Sequence, residues 1–189
     1  MDYQVYNLSM LPDNTADMNL LDEHDTATAM QRRGSFATIR SLLRKELSRR
    51  CGIAPQNIHF SYSEMGKPEF GPQPFNLSHS GDCLCLAFHH EAVGVDVERM
   101  KHRAFDKLAP RFMSAEQLTA FLGRGCPAEE FYACWCAAEA LVKRCGASIW
   151  DAHRFPFLYQ HGRITCQFEA PPVVLLFTPM PDYMGAVAF

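Results

Sequence analysis

Apolar and polar residues alternate most strictly near the middle of the 189-residue chain, from Val93 to Glu98. On an extended strand Val93, Val95 and Val97 fall on one side, and Gly94, Asp96 and Glu98 on the other. Residues 3–9 alternate too and predict a first strand. Between about Thr26 and Arg50 the period lengthens to three and four, with Phe36, Ile39, Leu42, Leu43 and Leu47 on one face. That spacing predicts a helix, weakened near its start by Gly34. Ile58 to Tyr62 reads as a strand, and Gly66-Lys67-Pro68 as a turn that projects one lysine. Phe75 to Gly81 runs as a short strand into a turn. Cys83 to His89 forms a dense apolar strand, with His89, His90 and Glu91 as an exposed turn and the central stretch as its hairpin partner. Ser114 to Gln117 has the form of a capping box, opening a short helix through Leu122. A further helix is expected over 128–145, ended by Gly146. Strands near 155–159, 163–168, 172–178 and 183–189 complete the chain.

The order strand, helix, strands recurs on both sides of the central stretch. It predicts an α+β fold of two similar lobes, residues 1–92 and 93–189, in pseudo-twofold arrangement with the acidic stretch at their junction. Crevices between lobes are where ligands usually bind. Composition narrows the function. A net charge of −3 argues against a general nucleic-acid binder. No apolar run approaches the ~20 residues that cross a bilayer. The amino-terminal sequence lacks a basic region followed by an apolar core, so no signal peptide and a cytoplasmic location are expected; a monomer is expected separately. The eight cysteines include Cys83/Cys85 and Cys134/Cys136 but no C-x-x-C, and are expected as reduced, small apolar residues.

Candidate chemistry begins with Asp96 and Glu98. Two carboxylates on one strand face repel unless they are solvated or bound to a cation, and hard oxygens suit Mg²⁺. An acidic solvated face is the plainer reading of the segment alone. The helix before it has a basic side: Arg44, Lys45, Arg49 and Arg50 are expected in solvent, whereas Arg32, Arg33 and Arg40 lie within about two turns and could converge on one anion. On the later helix Trp135, Glu139 and Lys143 recur every four residues along one face. An ordinary Glu-to-Lys surface pair would explain the last two.

Four blocks in this order resemble the 4′-phosphopantetheinyl transferases of the two-lobed class. They are Gly66-Lys67-Pro68, then Phe75-Asn-Leu-Ser-His-Ser-Gly-Asp82, then Val93-Gly-Val-Asp-Val-Glu98, then Trp135-Cys-Ala-Ala-Glu-Ala-Leu-Val-Lys143. The resemblance implies transfer of 4′-phosphopantetheine from coenzyme A to a serine of an apo acyl or peptidyl carrier protein, releasing adenosine 3′,5′-bisphosphate. It implies Mg²⁺ on Asp96, Glu98 and Glu139, with Glu139 also taking the serine proton and Lys143 neutralising phosphate charge. Arg32, Arg33, Arg40, Lys67, Ser78, His79 and Lys143 resemble the family's coenzyme A contacts. The first lobe would then be the coenzyme A side, and the second the metal and carrier side. The basic run Arg99, Lys101, Arg103, Lys107 and Arg111 is expected to meet an acidic carrier. Where the family has lysine before its glutamate, this chain has Ala138. A lysine placed there is expected to reach the pyrophosphate, and its loss leaves a weakened enzyme or a homologue that binds without turnover.

Overall fold

The computed structural model describes residues 1–189 except Asp13, Asn14, Arg32, Arg33 and Met65. In chain order the elements begin with β1 (Asp2–Asn7), α1 (Glu23–Gln31), α2 (Phe36–Cys51), β2 (Ser61–Tyr62) and β3 (Pro68–Glu69). Next come β4 (Phe75–Ser80), β5 (Cys83–Phe88), β6 (Gly94–Arg99), α3 (Phe105–Leu108), α4 (Ala115–Gly123) and α5 (Ala128–Arg144). The chain closes with β7 (Phe157–Gln160), β8 (Arg163–Cys166), β9 (Val174–Phe177) and β10 (Tyr183–Ala188). This is an α+β protein. It divides into two compact units, Tyr6–Pro74 and the combination of Met1–Val5 with Phe75–Phe189. The boundary lies earlier than the residue 92 expected from the pattern, because β4 and β5 pack with β6 rather than with the helices before them. The units also differ in content: among the described residues the smaller has two α-helices and one pair of two-residue strands, the larger most of the sheet.

In the smaller unit, Gly34 at φ +104° breaks the single helix expected from Thr26 to Arg50 into α1 and α2. The basic side of α2 is not all solvated. Arg44 is 0 % exposed and donates to Asp25 at 2.6 Å, Asp22 at 2.7 Å and the Ile58 carbonyl at 3.2 Å. A buried guanidinium is tolerated because each side of its fork finds a carboxylate or a carbonyl.

In the larger unit, β6 was expected as the hairpin partner of β5, and the structure differs. β6 pairs antiparallel with β10 in the order β6-β10-β9, with Asp96 opposite Ala186 and Glu98 opposite Met184. β5 lies instead in a second sheet of order β1-β5-β4. The edge of β6 that could have continued the ladder is taken by side chains of β4. Asn76 Oδ1 accepts from the Val95 N–H at 2.9 Å, Ser78 Oγ from Val97 at 3.3 Å, and Ser80 Oγ from Arg99 at 3.2 Å. The alternation of β6 holds as expected on the apolar side, where Val93, Val95 and Val97 are buried with Cys83, Cys85, Ala87 and Val187.

The other face of β6 is covered by α5. Its apolar side buries Phe131, Tyr132, Leu141 and Val142 against Ala186 and Ala188 of β10, each large side chain contributing about 1.5–3 kcal/mol. Gly94 allows the close approach, since a Cβ there would overlap the Ala140 carbonyl oxygen. The helix ends in a Schellman turn: Gly146 takes φ +65°, its N–H reaches the Lys143 carbonyl, and the Ala147 N–H reaches Val142. That cap leaves Lys143 inside the last turn, over β6.

Candidate active site

Because α5 lies on the Gly94-Asp96-Glu98 face, the carboxylates are not an acidic outer surface. Asp96 is 4 % exposed and Glu98 is half-buried. Asp96 Oδ1 accepts from Lys143 Nζ at 2.6 Å and from the Ser78 hydroxyl at 2.9 Å. Lys143 Nζ also donates to Ser78 Oγ at 3.3 Å. The lysine therefore pairs with Asp96 across the helix–strand contact, as well as feeling the charge of Glu139 on its own helix. Trp135, Glu139 and Lys143 do share one half-buried stripe of α5. Trp135 anchors its lower end on Phe112 and Phe131, at centroid distances of 5.3 and 6.2 Å.

The charges act on one another. Burial, and then the charges of Asp96 and Glu98, hold the Glu139 carboxyl above the usual glutamate range, against the opposing pull of Lys143. Glu98 is raised by burial and by Asp96, while the Ser80 hydroxyl, Arg103 and Lys143 oppose the shift. Burial disfavours the Lys143 ammonium, but Asp96 and Glu139 outweigh it and its pKa lies above the ordinary value. Three carboxylates so coupled form an anionic concentration that one ammonium only partly offsets.

The donor set fits a hard divalent cation. All three groups offer carboxylate oxygens, and Asp96 Oδ2 is buried with no hydrogen-bond partner. The three carboxylates are not drawn into a tight cage. Among the described residues, the one trio of His, Cys, Asp or Glu with ligand atoms all within 4.8 Å of one another is His89, His90 and Glu91. That trio sits in the turn before β6, at the end of the strand remote from Glu98.

The remaining expected residues fall in different settings. His79 alternates with Ser78 and Ser80 along β4 and is exposed on the opposite face. Ser78 is buried and its hydroxyl is engaged by Asp96, Lys143 and the Val97 N–H. In the smaller unit Lys67 follows Gly66, at φ +72°, in the turn between β2 and β3, closed by Ser63 N–H to Lys67 O at 2.9 Å. Arg40 is 8 % exposed, pairs with Asp25 at 3.2 Å and is flanked by the rings of Phe36, Phe60 and Tyr62. Its Nη1 is buried without a hydrogen-bond partner. Arg32 and Arg33 lie outside the described residues.

Ala138 corrects another expectation. It is 1 % exposed within the hydrophobic cluster of α5, not at the edge of the acidic cleft. Ala138→Lys is expected to destabilise the fold by at least about 3 kcal/mol, because it buries an ammonium without a partner. Urea unfolding followed by circular dichroism measures this; a midpoint equal to that of the unaltered chain would show that the side chain has an outlet to water.

An acidic pair on β6 faces a glutamate on α5 and a lysine one turn beyond it. The sequence profile of the 4′-phosphopantetheinyl transferase superfamily matches residues 92–172, the segment that supplies β6 and α5. The chain is 31 % identical over 157 residues to the 4′-phosphopantetheinyl transferase Sfp of Bacillus subtilis (strain 168), covering 77 % of this chain and 69 % of that one. It is 32 % identical over 135 residues to the 4′-phosphopantetheinyl transferase AcpT of Escherichia coli O157:H7, covering 66 % and 68 %. The chain belongs to the 4′-phosphopantetheinyl transferase superfamily.

Proposed function

We propose that the chain transfers 4′-phosphopantetheine from coenzyme A to a serine hydroxyl of an apo acyl or peptidyl carrier protein, with Mg²⁺, and releases adenosine 3′,5′-bisphosphate. The observation that carries this reading is the grouping of the buried Asp96 with the half-buried Glu98 and Glu139, close enough for their charges to act on one another. The three carboxylates would hold the ion, which when bound neutralises charge on the pyrophosphate. The serine oxygen forms a bond to the phosphorus that carries pantetheine, and the bridging P–O bond breaks towards the adenosine side. Glu139 takes the serine proton, as the carboxylate that α5 places beside the acidic pair and Lys143. Lys143 carries positive charge to the same place, as positioning and charge neutralisation require in phosphoryl transfer. Within the larger unit, the exposed His79 of β4 is a candidate contact for a coenzyme A phosphate. Arg99, Lys101, Arg103, Lys107 and Arg111 are all exposed and offer an acidic carrier a complementary charge. All eight cysteines are free thiols, which supports a reducing compartment such as the cytoplasm.

The alternative of a homologue that binds without turnover rested on Ala138, and the burial of that residue makes it part of the packing rather than a gap in the phosphate site. The test incubates the chain with coenzyme A, Mg²⁺ and an apo carrier protein and reads the intact carrier mass. The expected result is a gain of one phosphopantetheine group. An unmodified carrier, together with coenzyme A binding by calorimetry, would overturn the transferase reading and leave a binding protein.

A further inference from the structure

The side chains that β4 presents to β6 differ in a way that backbone pairing alone does not explain. Asn76, Ser78 and Ser80 each accept one β6 N–H, from Val95, Val97 and Arg99. The backbone work is the same at all three steps. Only the serines have a second partner on β6: Ser78 donates to Asp96 Oδ1 at 2.9 Å, and Ser80 donates to Glu98 Oε2 at 2.9 Å. Asn76 precedes them in the same series, where the face of β6 offers Gly94 and no carboxylate.

The chemistry of the groups matches the difference. An amide oxygen accepts, which suffices where only an N–H must be satisfied. A hydroxyl both accepts and donates. Once its lone pair takes the strand N–H, its proton is directed to the nearby carboxylate, and carboxylates are acceptors only. At Ser78 the second lone pair is filled by Lys143 Nζ, so the hydroxyl has one orientation left. The result is that one oxygen of Asp96 is tied down twice while the other is buried without a partner. Groups that bind a metal-ligating carboxylate through its outer oxygen fix the aim of the inner one.

We infer that Ser78 and Ser80 are positioning residues, which orient the Asp96 and Glu98 carboxylates so that their second oxygens converge on a divalent cation. The inference rests on the metal reading proposed above. It assigns the Ser-x-Ser of β4 to the Asp-x-Glu of β6, residue for residue, as a two-rung support.

Ser80 is the rung to test, because it is only half-buried and the Arg99 N–H it serves lies in an exposed bond that water can replace. Mn²⁺ is the probe, titrated into the full chain without coenzyme A and read by electron paramagnetic resonance, with Asp96→Asn in parallel. Ser80→Ala is expected to weaken Mn²⁺ binding ~10-fold with little change in thermal midpoint, and Ser80→Thr to restore the affinity. A merely structural hydroxyl would move the midpoint and leave the affinity alone. Unaltered Mn²⁺ affinity in Ser80→Ala, or a loss that Ser80→Thr does not restore, overturns the positioning role if Asp96→Asn weakens binding. If Asp96→Asn also binds Mn²⁺ like the unaltered chain, the metal reading falls and the positioning inference falls with it.

Discussion

Gly94→Ala is expected to leave the larger unit without a stable fold. The added methyl would overlap the Ala140 carbonyl oxygen and lie 2.5 Å from the Arg144 backbone nitrogen. Both obstacles are main-chain atoms inside α5, so no rotamer change relieves the clash. The helix would have to move off β6, taking the packing of Phe131, Tyr132, Leu141 and Val142 with it. Overpacking of this kind costs about 3 kcal/mol or more, a large part of the ~5–15 kcal/mol that stabilises a typical domain. Denaturant unfolding by circular dichroism measures the loss. A midpoint close to that of the unaltered chain would mean that α5 does not rest on β6 at this distance. Glu139 and Lys143 reach the acidic residues only through that contact, so the same glycine that sets the packing also assembles the site.

How far this was legible in the sequence depends on the range of the interaction. The strand at Val93 to Glu98 could be read because its burial pattern repeats every two residues and needs only neighbours. The Ser114 capping box and the Gly146 helix end are equally local, and both occur in the structure. The burial of Asp96 was not legible, because it depends on a helix some forty residues later that Gly94 admits. The partner of β6 was misjudged for the same reason. A short turn predicts a hairpin with β5, but the edge of β6 is filled by Asn76, Ser78 and Ser80 and its ladder goes to β10. Arg44 looks solvated from its helical position; its partners Asp25, on α1, and Asp22, just before it, precede it by more than five turns of sequence. Ala138 precedes Glu139 and so projects about 100° from it around the helix, and the packed side of α5 is wide enough to include it.

The second large effect lies in the acidic residues. Removing Asp96 as alanine would strand Lys143 Nζ and the Ser78 hydroxyl in a buried place, so loss of activity would be confounded with loss of packing. Asparagine keeps the shape and an oxygen for both donors while it removes the charge. Asp96→Asn is therefore expected to stay folded, within ~2 kcal/mol of the unaltered chain, and to lose transfer by about 10³-fold or more, since metal-assisted charge stabilisation amounts to several kcal/mol. Excess Mg²⁺ should recover part of the loss if the variant still has Glu98 and Glu139 to bind it.

The central claim is that a divalent ion on Asp96, Glu98 and Glu139 drives transfer of phosphopantetheine to a carrier. The most direct measurement is the initial rate of carrier modification, by intact mass, against Mg²⁺ concentration for the unaltered chain and for Asp96→Asn. The account predicts no transfer after chelation, a saturable rise with Mg²⁺ in the unaltered chain, and for the variant a curve at least about 10³-fold lower at the same Mg²⁺. Equal rates in the two proteins, or full transfer in the presence of chelator, would contradict it.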